Sequence, residues 1–154
     1  MQSQDTFNRD FDAATAILDR WLESLDGVSA IDREKTQGYW RARLDPREPN
    51  TCPAELMLSR SQTFDIDVGP EGLARQPIDG FALFLPLLQA VADGHVVHRL
   101  WSALATGSAL TSEILVQLAD GQYWSTRRLI NAGAVTTDLT ATARDHIYLP
   151  YRRR

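Results

Sequence analysis

Cysteine is almost absent from this chain: Cys52 is the only one in 154 residues. One thiol excludes an internal disulfide and any Cys-x-x-Cys metal site, and a reducing, cytoplasmic setting is expected. Positive charge is also in short supply. Sixteen Lys and Arg stand against twenty Asp and Glu, a net charge of −4, which argues against a nucleic-acid surface. Long apolar runs are missing. Residues 81–88 form the longest and include Pro86, well short of the roughly 20 residues of a membrane span, so membrane insertion is not expected. The first residues, MQSQDTFNRDFD, are polar and acidic, unlike a signal or transit peptide. There is no internal repeat, no Gly-x-Ser-x-Gly elbow and no phosphate-cradling loop. The carboxylates are scattered, so no acid–base pair and no catalytic residue can be named.

What remains is enough apolar residue, 44% of the chain, to close the core of a single domain. Residues 5–26 place Phe7, Phe11, Ala14, Leu18, Trp21 and Leu25 at alternating spacings of 4 and 3, which puts all six on one side of a helix. That stripe can pack on its own domain. Its aromatic content also suits an interface, so Phe7, Phe11, Leu18, Trp21 and Leu25 are candidate dimer or partner contacts. Residues 28–37 read as a polar connector. GYWRARL, residues 38–44, alternates as a half-buried strand, and ELMLS, residues 55–59, reads as its hairpin partner across a Pro-rich loop. Residues 60–66 suggest one helical turn and residues 68–75 an irregular stretch. Short helices follow over residues 77–92, and a longer one over residues 95–105 carries Val96, Val97, Leu100, Trp101 and Leu104. Residues 109–131 then predict a hairpin across Asp120-Gly121, a pair suited to the positive φ of tight turns. One more strand is expected within residues 134–151.

The order of helix, two strands, short helices and about three strands resembles a PAS domain with its N-terminal helix. The residues that carry the likeness are Gly38-Tyr39-Trp40, Leu56-Met57-Leu58-Ser59, Gly69-Pro70-Glu71-Gly72, Ala105-Thr106-Gly107 and Trp124 shortly after Asp120-Gly121. The resemblance implies an α+β, PAS-like five-stranded antiparallel sheet, in the order 2-1-5-4-3, with short helices on one face. It divides the chain into an N-terminal helix and connector (1–37), a PAS-like domain (38–150) and a basic C-terminal tail (151–154). An α+β fold of the cystatin or nuclear-transport-factor type is the alternative.

On that resemblance, function is expected to be regulatory, through protein–protein contact in bacterial two-component signal transduction. A homodimer and a sensor histidine kinase partner are the expected associations. The sheet would curve around a pocket for a small ligand, with Trp40, Phe84, Trp101, Ile114, Val116 and Trp124 as candidate walls. A haem sensor is the first alternative, using His95 or His98 on the expected helix, where a spacing of three puts both imidazoles on one side. A flavin adduct is rejected, because Cys52 falls in a loop rather than in an Asn-Cys-Arg motif, and no metal set is assigned. The second alternative is a small lyase or isomerase with a cone-shaped pocket. Glu113 is expected to pair with Arg127 or Arg128 across the hairpin.

Overall fold

The computed structural model describes residues 2–131 and 141–152. The chain begins with α1 (Gln4–Glu23), whose first turn is capped by the Ser3 side chain accepting from the Thr6 N–H. Five strands follow as a continuous antiparallel meander: β1 (Ser29–Lys35), β2 (Tyr39–Pro46), β3 (Ala54–Ser59), β4 (Thr63–Val68) and β5 (Glu71–Pro77). After α2 (Phe84–Ala92) come β6 (Val96–Ala103), β7 (Ala109–Gln117), β8 (Tyr123–Leu129) and β9 (Ala141–Ile147), which form a second antiparallel sheet in the order β8-β7-β6-β9.

Alternation along the meander decides where the core lies. Trp40, Ala42 and Leu44 on β2, Leu56 and Leu58 on β3, and Phe64, Ile66 and Val68 on β4 face one way and are buried. Both helices contribute to that same core. From α1 come Phe7, Phe11, Leu18 and Leu22, and from α2 come Phe84, Leu87, Leu88 and Val91. Each such side chain contributes roughly 1.5–3 kcal/mol when fully buried. Phe81, between β5 and α2, lies 5.4 Å from the ring of Phe7 and 6.1 Å from that of Phe84. Val96, Ile114 and Val116 extend the core into the second sheet. Where α1 meets the β3–β4 turn, the Arg60 guanidinium lies 4.3 Å over the Phe11 ring and reaches Asp12 at 2.7 Å.

The α+β class, the N-terminal helix and the antiparallel pairing match the sequence reading, as do the β2–β3 and β7–β8 hairpins. The sheet arrangement differs. There are two sheets rather than one, and the first runs in sequential order rather than 2-1-5-4-3. Residues 28–37 are not a connector: β1 pairs with β2 along its length, so the expected boundary at residue 37 cuts through a sheet. Residues 60–66 hold a turn and then β4, and residues 68–75 hold most of β5. The helix expected over residues 95–105 is the strand β6, which lies between β7 and β9. Partners on both edges and partial cover on both faces explain its apolar residues at positions that also fit a helix.

The end of the described chain is anchored rather than solvated. Tyr151, expected within a basic tail, is 1% exposed. Its hydroxyl donates to the Cys52 carbonyl at 2.5 Å and its N–H to the Ala92 carbonyl at 2.8 Å. The Leu149 N–H donates to the Asn50 carbonyl at 2.8 Å. Gly94, at φ +80°, leaves room for this segment: a Cβ there would lie 2.5 Å from the Pro150 nitrogen. Residues 153–154 of the expected tail lie outside the described residues, as do Thr136, Thr137 and Thr140 of the expected last strand.

Replacing Tyr151 therefore acts through both packing and a buried hydrogen bond. Tyr151→Ala is expected to lower the unfolding free energy by about 3–5 kcal/mol, and Tyr151→Phe by about 1 kcal/mol. Urea denaturation followed by circular dichroism measures both. Equal, negligible losses would mean that the segment is not part of the cooperative core.

Candidate functional site

The two sheets present outer faces of different character. On the first, register places Asp32, Glu34, Asp45, Glu55, Asp65 and Asp67 on one side with Arg41 and Arg43. Arg41 bridges Asp32 at 3.0 Å, with Glu34 and Glu55 each at 3.5 Å. Arg43 reaches Asp45 at 3.0 Å and Glu55 at 3.2 Å. These are solvated pairs, worth roughly 0–1 kcal/mol each, and they leave the face acidic. Burial raises the pKa of Asp67 above its ordinary value, and the neighbouring Glu55 and Asp65 carboxylates add to the rise.

The outer face of the second sheet mixes exposed apolar residues with balanced charge. Tyr123 is 64% exposed, Leu129 57% and Ile147 67%. Register pairs Ile147 with half-buried Val97, Tyr123 with Gln117 and Leu129 with Thr111, and half-buried Trp101 and Leu115 share the face. The charges here cancel: Arg99 and Arg127 accompany Glu113 and Asp145. Arg99 forms a two-pronged pair with Asp145 at 2.8 and 3.0 Å and holds its carboxyl below the ordinary range. Glu113 faces Arg127 in register, yet its carboxylate lies 3.9 Å from Arg99 and accepts from the Trp101 indole N–H at 3.1 Å. The expected Glu113–Arg127 or Glu113–Arg128 pair is thus replaced.

Arg128 points to the opposite side of β8 and joins the sheets. Its guanidinium contacts Glu71 at 2.8 and 2.9 Å, and Glu71 is 5% exposed. Arg128 holds the Glu71 carboxyl below its ordinary range, and the Ser112 hydroxyl assists. His98 Nε2 lies 2.7 Å from Ser112 Oγ. Which of the two donates is set by the imidazole tautomer.

A groove of about 900 Å3 opens elsewhere, at the C-terminal ends of both helices. Trp21, Leu25 and Pro150 form its apolar walls, and Gln89, Asp93 and His95 its polar ones. None of the six expected pocket residues lines it. Trp40, Phe84, Ile114 and Val116 are buried in the core, Trp124 packs against it, and Trp101 lies on the outer face of the second sheet. His95 is exposed in the α2–β6 connection, and His98 is on a strand bonded to Ser112. The shared helical side on which the haem reading depended does not exist. Of the expected interface residues, Phe7, Phe11, Leu18 and Leu25 are buried in their own core and Trp21 alone is left half-covered. Cys52 is buried between Gly69 and the C-terminal segment, and burial pushes its thiol up to about 12, which leaves it inert at neutral pH. Among the described residues, no group of three or more His, Cys, Asp or Glu is arranged to hold a metal ion. No helix is long and apolar enough to cross a membrane.

Comparison with known proteins finds no matching family model, no matching curated protein and no matching solved structure.

The Glu71–Arg128 junction gives a pH-dependent expectation. A carboxyl with a lowered folded-state pKa contributes stability above its unfolded value of about 4.3, and loses that contribution as pH falls through the lowered value. Arg128→Ala, which leaves a buried carboxylate short of its partner, is expected to cost about 1–3 kcal/mol at neutral pH. The gap from wild type should shrink as the pH is lowered below 4.3 or so. Urea midpoints across that range measure it, and a gap that does not change with pH would show that Glu71 is not the group responsible.

Proposed function

We propose that this chain is a regulatory docking module that works as a homodimer, with the outer face of the second sheet as the surface on which two copies meet. The observation that carries the reading is where apolar surface is left uncovered. Seven large hydrophobic residues are exposed among the described residues, and five of them, Leu104, Tyr123, Leu129, Ile130 and Ile147, lie on the second sheet or its connections. Exposed apolar side chains concentrated on one sheet, here around a central row of paired charges, are a feature of interaction surfaces.

Charge favours a second copy as the occupant. Two acidic first-sheet faces repel one another, whereas the second-sheet face carries equal numbers of each sign and approaches its own copy without that cost. The dimension suits a reversible contact. Four strands about 4.8 Å apart and seven residues at about 3.3 Å give a face of roughly 19 by 23 Å, or about 900 Å2 over two copies, the size of a weak, transient interface. A dimer of that size changes state with concentration, and a protein partner in a signalling pathway competes for the same face.

Light scattering tests this reading. The chain has a mass of 17.3 kDa, and the expected mass approaches twice that value as concentration rises. Tyr123→Glu combined with Ile147→Glu is expected to return the protein to monomer, with urea stability within about 0.5 kcal/mol of wild type for exposed sites. A monomer at every concentration, or a dimer that survives both substitutions, would overturn the homodimer.

A further inference from the structure

The groove between the helix ends is separate from the proposed dimer face, and its chemistry points to a ligand of its own. Its walls include the C-terminal ends of α1, at Trp21 and Ser24, and of α2, at Gln89 and Ala92. A helix C-terminus carries about half a negative charge, which favours cations within its last turn. The groove therefore receives two such ends, and the Asp93 carboxylate adds a full charge beside the second. Trp21 supplies an aromatic wall that is only half-covered by its own chain. The volume, about 900 Å3, falls within the range of small-molecule sites.

The chain already places a cation at this location. Arg152 follows the anchored Tyr151, lines the groove, and its guanidinium donates to the carbonyl of Ser24, the C-cap of α1. Arg152 is otherwise exposed, so this contact holds it against the groove without burying it. Tyr151 fixes the backbone one residue earlier, which leaves the Arg152 side chain free to leave the groove while the core stays closed.

We propose that the groove binds a guanidinium group supplied from outside the chain, and that Arg152 is an internal competitor that occupies part of the same site. A guanidinium is planar, weakly hydrated and suited to stacking on an indole while its N–H groups meet carbonyl and carboxylate oxygens. Trp21 provides the stacking surface, and the Asp93 carboxylate with the Ser24 carbonyl, to which Arg152 already donates, provides the acceptors. The group belongs either to a small metabolite or to an arginine side chain of a peptide.

Titration of the full chain with agmatine and with N-acetyl-arginine methylamide, read by calorimetry and by the Trp21 indole resonance, tests the proposal and separates the two sources. N-acetyl-citrulline methylamide, the uncharged counterpart, is the control. Arg152→Ala is expected to bind a guanidinium probe more tightly than wild type, because the internal competitor is gone. Asp93→Asn is expected to weaken binding about two- to fivefold, and the citrulline compound to give no saturable signal. Agmatine binding alone assigns a metabolite, and tighter binding of the peptide-like compound assigns a peptide arginine. No saturation of Arg152→Ala by either probe up to about 10 mM, weaker than the ordinary range of specific binding, would overturn the site. Equal binding of citrulline, or binding unchanged by both Asp93→Asn and Trp21→Phe, would do the same. Arg152→Gln, which keeps the length of the side chain, provides the same comparison if the alanine variant loosens the C-terminal segment.

Discussion

The structure depends on covering one face of a five-stranded meander. Alternation puts Trp40, Leu44, Leu56, Leu58, Phe64 and Ile66 on a single side, and an antiparallel sheet of this kind persists in water only if that side is shielded. Both helices are recruited to the task, α1 through Phe7, Phe11, Leu18 and Leu22 and α2 through Phe84, Leu87, Leu88 and Val91. Committing the helices inward has a cost elsewhere. Neither is left to cover the outer face of the second sheet, which retains Tyr123, Leu129 and Ile147 in solvent.

The division of labour between the sheets follows from the same constraint. The first sheet has a dry side and a charged side, and Arg41 and Arg43 lace the charged side together. The second sheet is thinner in support: Val96, Ile114 and Val116 tie it to the core, and Glu71–Arg128 bonds its β8 strand to β5. A buried carboxylate bonded to a half-open arginine fixes geometry more than it adds net stability, because desolvating the carboxylate offsets much of the attraction.

Much of this was legible in the residue pattern where one period dominated. The stripe of α1, the alternation of GYWRARL and the Asp120-Gly121 turn all predicted the elements that form. Strict alternation in TFDIDV also marked β4, although its carboxylates made it read as a turn. The strand β1 was hidden by composition: SAIDREK is an edge strand with a single half-buried apolar residue, Ile31. The strand β5 was hidden by Gly72, which is needed because a Cβ there would meet the Asp67 side chain and the Ile66 carbonyl. The strand β6 carried apolar residues for two faces and so imitated a helix. The candidate site was less legible than the fold. Glu71 and Arg128 are 57 residues apart, and no local spacing announces such a pair. Tyr151 was obscured by its arginine neighbours, and the groove is assembled from four separate segments. The likeness to a PAS domain rested on short local matches at strand ends and turns, which do not constrain the order in which strands pair.

The Tyr151 anchor also bears on how the protein is made. Its hydroxyl closes onto a carbonyl 99 positions earlier in the chain, and its N–H closes onto the end of α2. A ribosome that has produced the meander and α2 has not yet exposed the residue that seals them together. During synthesis the loop bearing Cys52 and the end of α2 remain open, with apolar surface in reach of chaperones or of a neighbouring nascent chain. A message cut short before that codon yields a chain that has every described strand but not the contact that shuts the core.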